Sequence, residues 1–225
     1  MEKLFARDYR RIAEEKCQVF SNRLAIIWLI YLLLTGLLGT FSFDVGEYQG
    51  IKISVDFSWV FTLVIGGPFA AAIAHISKKT YLREESQIEE LFDGFKDFKN
   101  NFVLYLLQQL FIILWSLLLI IPGIMKSYGY AMAFFIKEDN PNLSASECLK
   151  RSEDLMNGHK WELFCLEISY FGWLLLCVIT FGILSLWVGP KMEVAKYAFY
   201  RNLIGEEKKA YEEFFEEDYT FEFRE

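Results

Sequence analysis

Long apolar runs alternate with short charged segments along most of the chain. A transmembrane helix needs about 20 predominantly apolar residues to cross the hydrocarbon layer. Four runs reach or exceed that length: Leu24–Phe43, Phe57–Ile76, Phe102–Ile121 and Trp161–Val188. The fourth run is 28 residues long, so it exceeds a single comfortable span. A shorter apolar run, Ile124–Ile136, follows the third. This pattern predicts a membrane protein with several spans.

The basic residues between the runs predict which segments face the cytoplasm, because cytoplasmic loops are enriched in Lys and Arg. Residues 1–23 contain six basic residues and residues 77–101 contain five, whereas residues 44–56 contain one. We therefore expect the amino terminus and the segment 77–101 to lie inside, and the segment 44–56 to lie outside.

The second half of the chain decides between four and six membrane helices. With four helices, Lys137 and Lys160 would both lie outside, against the charge bias. A turn at Pro122–Gly123 instead returns the chain through Ile124–Ile136, and a turn near Phe181–Gly182 divides the last run. We predict an all-α bundle of six transmembrane helices in three hairpins, with both termini cytoplasmic and the first apolar run retained rather than cleaved as a signal peptide.

A short polar segment separates the predicted fourth and fifth helices. Ser144 and Glu147 fit a capping box that begins a helix, and Gly158 is a suitable end for it. These signals predict a short amphipathic cytoplasmic helix, lying either on the inner membrane surface or against the bundle. The chain then divides into three parts: an amphipathic cytoplasmic segment at residues 1–23, a membrane domain at 24–204 and an acidic cytoplasmic tail at 205–225.

Each predicted returning helix contains an adjacent glycine and proline. The pairs are Gly67–Pro68, Pro122–Gly123 and Gly189–Pro190. Because proline interrupts helical hydrogen bonding and glycine relaxes the backbone, we predict hinges at Pro122, Gly123, Gly189 and Pro190.

The composition supports a membrane location and excludes several other classes. The chain is 54% hydrophobic and 18% aromatic, which is more apolar than one soluble core needs. The net charge is -7, and residues 205–225 carry most of it, with nine acidic residues against three basic ones. The rest of the chain is close to neutral, so we do not expect nucleic-acid binding.

Polar residues inside the apolar runs are the candidate functional groups, since they are costly in a bilayer. Glu167 and Lys196 each lie about 10 Å from the inner end of their predicted helices, so we expect them to form an ion pair. The rest of this intramembrane polar cluster is Gln108, Gln109, Lys191 and Glu193. The cluster either lines an inward-facing site for a ligand or ion, or holds helices together without a ligand.

Other residues are expected to have structural roles. Lys126 is predicted to extend its amine to water near the outer surface. The four cysteines form no C-x-x-C pair, and His75 and His159 lie far apart, so we predict no metal site. No catalytic motif is recognisable, and we expect neither enzyme activity nor a cofactor.

Several motifs, all of them in the second half, resemble those of a known family. They are Pro122–Ile124, Glu138–Pro141, Leu149–Ser152, Leu155–Lys160, Ser169–Trp173, Gly189–Pro190 and Tyr197–Tyr200. Together they resemble the bacterial integral membrane proteins grouped as the domain of unknown function 975 family. The resemblance covers nearly the whole chain and is most specific from Leu119 to Leu203. It implies a polytopic membrane protein and no particular activity. Lys191 stands where a tyrosine is expected after the proline.

Two functional hypotheses follow from the sequence. The first is a non-enzymatic protein of the bacterial cytoplasmic membrane that acts as a scaffold, or as an accessory to transport or envelope maintenance. Besides the lipid bilayer, its partner would be a membrane or cytoplasmic protein that binds the helix at residues 144–158 or the acidic tail. The alternative is a small transporter or lipid-handling protein that uses the polar cluster.

Overall fold

A computed structural model describes residues 4–38, 42–48, 51–56 and 58–205. These residues are helical except for one two-stranded hairpin. In chain order the elements are α1 (Ala6–Gln18), α2 (Ser21–Leu38), β1 (Ser42–Tyr48), β2 (Ile51–Asp56), α3 (Ser58–Tyr81), a 3-10 helix (Ile88–Phe95), α4 (Phe98–Leu118), α5 (Ile120–Gly129), α6 (Ala133–Asp139), α7 (Ala145–Leu155), α8 (Lys160–Ser169), α9 (Phe171–Ile179) and α10 (Ser185–Leu203). The prediction of a helical protein is confirmed, whereas the acidic tail lies outside the described residues.

Among the described residues, two helical segments are long and apolar enough to cross a membrane. They are α4 and the continuous stretch Lys160–Ile179, which contains α8 and α9. A third candidate arises if α1 and α2 form one span bent by 99°. Only 11% of the apolar stretch of α4 is buried inside the protein. Such an exposed apolar surface is compatible with a membrane protein, because lipid can cover it.

The predicted outer loop contains the antiparallel pair β1–β2. Ser42 aligns with Asp56 and Tyr48 with Ile51, and a register shift lies between Asp44 and Gly46. The sequence pattern predicts only a loop here, so this hairpin is a feature that the prediction lacked.

The predicted turn at Pro122–Gly123 differs from the expectation in position. The chain reverses at Leu119, which has an extended backbone, and Pro122 and Gly123 lie inside the first turn of α5. A proline is tolerated there because the first backbone N–H groups of a helix have no helical partner. Gly189 and Pro190 lie within α10, and their role as hinges stays a prediction.

The reversal between α9 and α10 occurs where the sequence predicts it. Phe181 and Gly182 both have positive φ angles, of 50° and 83°. Gly182 adopts this left-handed conformation without steric cost, whereas Phe181 does so at some cost.

Glycine permits close contact between helices at the positions predicted as hinges. A Cβ atom added to Gly123 would lie 2.7 Å from the Cα atom of Ser116 on α4. At Gly189 it would enter the ring of Trp28 on α2. Both glycines therefore lie where two elements of the structure pack closely.

The amphipathic helix α7 has the predicted amino-terminal cap. The Ser144 hydroxyl and backbone N–H donate to Oε2 of Glu147 at 2.7 and 2.9 Å, and these bonds hold the pKa of Glu147 below its usual value. The helix packs against α4, α5 and α6. Ser152 donates to the Gly129 carbonyl at 2.7 Å and accepts from the Met132 N–H at 3.1 Å. Of the two predicted positions, the structure therefore shows α7 against the bundle.

The first helix packs against the last. Tyr9, Ala13 and Cys17 follow one another at intervals of four residues and form the buried face of α1. The ring of Tyr9 lies edge-on to that of Phe199, with centroids 5.3 Å apart. Its hydroxyl accepts a hydrogen bond from Asn202 at 2.5 Å. The two ends of the described chain are thus joined in the core.

The contact at Gly123 generates a prediction about stability. Gly123→Ala should destabilise the α4–α5 hairpin by about 1–3 kcal/mol, because the added methyl group meets backbone atoms of Ser116. Gly36→Ala in α2 is the matched control, since a Cβ atom there meets nothing within 4 Å. The thermal unfolding midpoint in detergent is the measurement. Equal midpoints for the two variants would contradict the proposed packing role.

Candidate functional site

Three charged side chains and a tyrosine form a connected group between α5, α8 and α10. The ammonium group of Lys196 lies 3.2 Å from Oε1 of Glu167 and 3.3 Å from Oε1 of Glu193. The Tyr128 hydroxyl donates to Oε2 of Glu167 at 2.7 Å. We call these four residues the charged cluster. It contains the ion pair expected between Glu167 and Lys196.

Helical geometry explains how the charged cluster assembles. Glu193 and Lys196 are three residues apart on α10, so their side chains share a face. Glu167 approaches the same face from α8, and Tyr128 approaches Glu167 from α5. The exposed fractions of Lys196, Glu193 and Glu167 are 20, 22 and 32%, so each charge is largely withdrawn from solvent.

The remaining predicted residues lie apart from the charged cluster. Lys191 contacts Glu14 of α1, with Nζ 3.3 Å from Oε1. Lys191 and Glu193 are two residues apart on α10, so their side chains point in different directions. Gln108 and Gln109 take no part in the bonds of the cluster. Oε1 of Gln108 is buried without a hydrogen-bond partner among the described residues. These three residues therefore lie outside the charged cluster, and their part in a ligand site stays a prediction.

Lys126 also differs from its prediction as a residue that extends to water alone. Its ammonium group forms an ion pair with Glu153 of α7 and lies 5.2 Å from the centroid of the Trp115 ring. The ring of Tyr130 is 5.7 Å away. The ammonium group of Lys126 is partly buried among aromatic rings, so it needs a carboxylate partner, and Glu153 of α7 is that partner.

A cavity of about 500 Å³ lies next to the charged cluster. Helices α2, α3, α4, α6 and α10 and the segment joining α5 to α6 contribute to its wall. The lining residues are mostly aromatic, apolar or small: Trp28, Tyr31, Thr35, Thr62, Ile65, Gly66, Phe69, Ala70, Ile73, Ala74, Tyr105, Ala131, Phe134, Phe135 and Glu193. Its volume falls within the range of ligand pockets, which is roughly 300–1,000 Å³.

Glu193 connects the cavity to the charged cluster. Of the described residues that line the cavity, it alone carries a charge. It also binds Lys196, which in turn binds Glu167. Two carboxylates around one ammonium group give the charged cluster a formal charge of −1. An apolar cavity therefore has a single acidic group at its α10 side.

A second set of charges joins the ends of α3, α6 and α10. His75 lies 2.8 Å from Glu138, and Lys78 lies 2.9 Å from Asp139. The Tyr200 hydroxyl donates to Asp139 at 3.0 Å. These bonds fix the helices that form one side of the cavity, so we regard this set as structural.

Sequence reasoning missed the cavity wall and Tyr128. Aromatic residues of apolar helices look alike whether they face lipid, a core or a cavity, so no local signal distinguishes Tyr31 or Phe69. Tyr128 could have been found from the local enrichment in tyrosine, because Tyr128 and Tyr130 lie close together in the predicted fourth helix.

Comparison with known proteins supports the family resemblance over part of the chain. The family model described as Protein of unknown function (DUF975) matches residues 117–207. This segment is therefore similar to that family. It coincides with the region from Leu119 to Leu203 where the resemblance is most specific, and it does not extend over the first 116 residues. The matched segment contains the whole charged cluster and only part of the cavity wall, since Trp28, Tyr31, Phe69 and Tyr105 precede it. No curated protein and no solved structure matches the chain.

The charged cluster should contribute strongly to stability. Lys196→Met leaves Glu167 and Glu193 without their shared cation, and breaking such a pair typically costs about 3–5 kcal/mol. Glu167→Gln should cost less, because Glu193 still accompanies Lys196. Lys96→Met is the control, since Lys96 pairs with Asp93 but is 77% exposed and should contribute less than about 1 kcal/mol. Thermal unfolding in detergent measures all three. Similar losses for Lys196→Met and Lys96→Met would rule out this role.

Proposed function

We propose that the protein is an integral protein of the bacterial cytoplasmic membrane with both termini in the cytoplasm. The helices α2, α3, α4, α5–α6, α8–α9 and α10 would supply six spans in three hairpins. The loop charges support this topology, as do the large apolar surfaces of α4 and of the α9–α10 turn, where Phe181 is 97% exposed.

Within this topology the protein binds a small ligand with an apolar body in the cavity described above. The observation that carries this proposal is the combination of a 500 Å³ aromatic-lined space with one carboxylate at its side. Ligand sites typically combine an apolar wall with a few polar groups that set orientation. Binding of this kind fits the handling or transport of an amphipathic molecule better than catalysis, since no nucleophile–base pair faces the cavity among the described lining residues.

The scaffold role remains a prediction with less support. The apolar face of α7, with Cys148, Leu149 and Ser152, is buried against other helices and is not available to a partner. A docking partner would have to use the polar face of α7, where Lys150 and Arg151 are exposed, or the acidic tail.

The topology predicts which side of the membrane each loop faces. A cysteine introduced at Asn142 should react with a membrane-impermeant maleimide in inverted vesicles and not in intact cells. A cysteine introduced at Glu47 should show the opposite pattern and provides the control. Reaction of residue 142 from outside intact cells would exclude the six-helix topology.

Filling the cavity should abolish binding without disturbing the fold. Ala70 lines the cavity, so Ala70→Phe should remove most of the space for an uncharged aromatic probe such as N-phenyl-1-naphthylamine. Leu114→Phe is the matched control, because Leu114 is 58% exposed on α4. We expect at least about a tenfold loss of probe affinity for Ala70→Phe and none for Leu114→Phe. Unchanged binding by a folded Ala70→Phe variant would exclude the cavity as the site.

A further inference from the structure

We propose that the cavity selects a monovalent organic cation with a bulky apolar body. This inference rests on the proposed function and adds the chemical class of the ligand. Its starting point is the position of Glu193, which belongs both to the cavity wall and to the charged cluster.

The charge balance of the cluster favours a cation. Lys196 is shared between Glu167 and Glu193, so it neutralises one of the two carboxylates formally. Tyr128 stabilises Glu167 by a hydrogen bond of 2.7 Å and adds no positive charge. Glu193, by contrast, borders a space whose other described lining residues carry no charge. A ligand with a single positive charge would bring the summed formal charge of cluster and ligand to zero. An anion would be repelled by Glu193, because charges are poorly screened in an apolar cavity.

The aromatic wall favours the same class of ligand. Trp28, Tyr31, Phe69 and Tyr105 line the cavity together with Glu193. The faces of aromatic rings attract cations, and quaternary ammonium groups are recognised in this way by rings arranged around them. An organic cation is stabilised by attraction to these rings and also by burial of its apolar body. A small hydrated ion is stabilised only by attraction to the rings.

The donor set argues against a metal ion as the ligand. Calcium binds six to eight oxygen atoms, and magnesium requires near-octahedral coordination. The described lining residues offer one carboxylate, together with the hydroxyl groups of Thr35, Thr62 and two tyrosines. One carboxylate that is already bound to Lys196 suits a diffuse single charge better than a compact double charge.

Two ions of nearly the same shape and opposite charge test the inference. Tetraphenylphosphonium and tetraphenylborate would be titrated against the full chain in lipid nanodiscs, with empty nanodiscs as the blank. We expect the phosphonium ion to bind wild-type protein at least about tenfold more tightly than the borate ion. Glu193→Gln should remove this preference by weakening binding of the cation, whereas Glu193→Asp should retain most of it. Glu14→Gln makes the same change of charge outside the cavity and should have no effect.

The outcomes separate the inference from the proposed function. Suppose that wild-type protein binds both ions equally and that Ala70→Phe binds neither. This result would overturn the cation preference and leave the ligand site intact. Failure of both ions and of N-phenyl-1-naphthylamine to bind would overturn the site itself. The comparison of the two ions needs only wild-type protein, so misfolding of Glu193→Gln would not prevent a decision.

Discussion

The ammonium group of Lys196 is the constraint around which the helices of this protein are arranged. A charge in an apolar bundle must be paired, because the free energy of leaving it alone in a poorly polarisable medium is large. Lys196 meets this requirement through two carboxylates, one on its own helix and one on α8. Because Glu167 is itself held by Tyr128, the requirement of one side chain determines how α5, α8 and α10 approach one another.

The cavity meets that arrangement at Glu193. Glu193 is drawn toward Lys196 on one side, and on the other side it borders a space enclosed by aromatic residues of neighbouring helices. Large rings such as Trp28 and Phe69 cannot interdigitate as completely as aliphatic side chains when the helices are held apart by fixed contacts. The bonds between His75 and Glu138 and between Lys78 and Asp139 are such contacts, since they join α3 to α6 at the helix ends. The charged cluster and these contacts between α3 and α6 thus lie on different sides of the cavity.

The sequence predicts those features that depend on periodicity and local charge. The helical class, the reversal at Phe181–Gly182 and the cap at Ser144 follow from such local patterns. The ion pair between Glu167 and Lys196 could be anticipated because both charges lie at similar depths in their helices. Lys191 could not be placed, because its partner Glu14 lies 177 residues away in α1. The turn predicted at Pro122 lies at Leu119, since proline in the first turn of a helix looks the same in sequence as proline at a hinge. The cavity wall depends on helix orientation, which is a long-range property.

The contact between Tyr9 and Phe199 bears on the order in which the protein is made. Tyr9 leaves the ribosome long before Phe199 and Asn202, since Asn202 lies 193 residues further along the chain. Pairing of such distant segments is slow because the ends of a long loop must meet. Throughout translation the apolar face of α1, with Ala13 and Cys17, therefore lacks its final partner. The membrane surface offers a temporary one, since an amphipathic helix can lie there until α10 arrives. The contact between α1 and α10 can then form only after α10 has been made, and a chain released before α10 would leave α1 on the membrane.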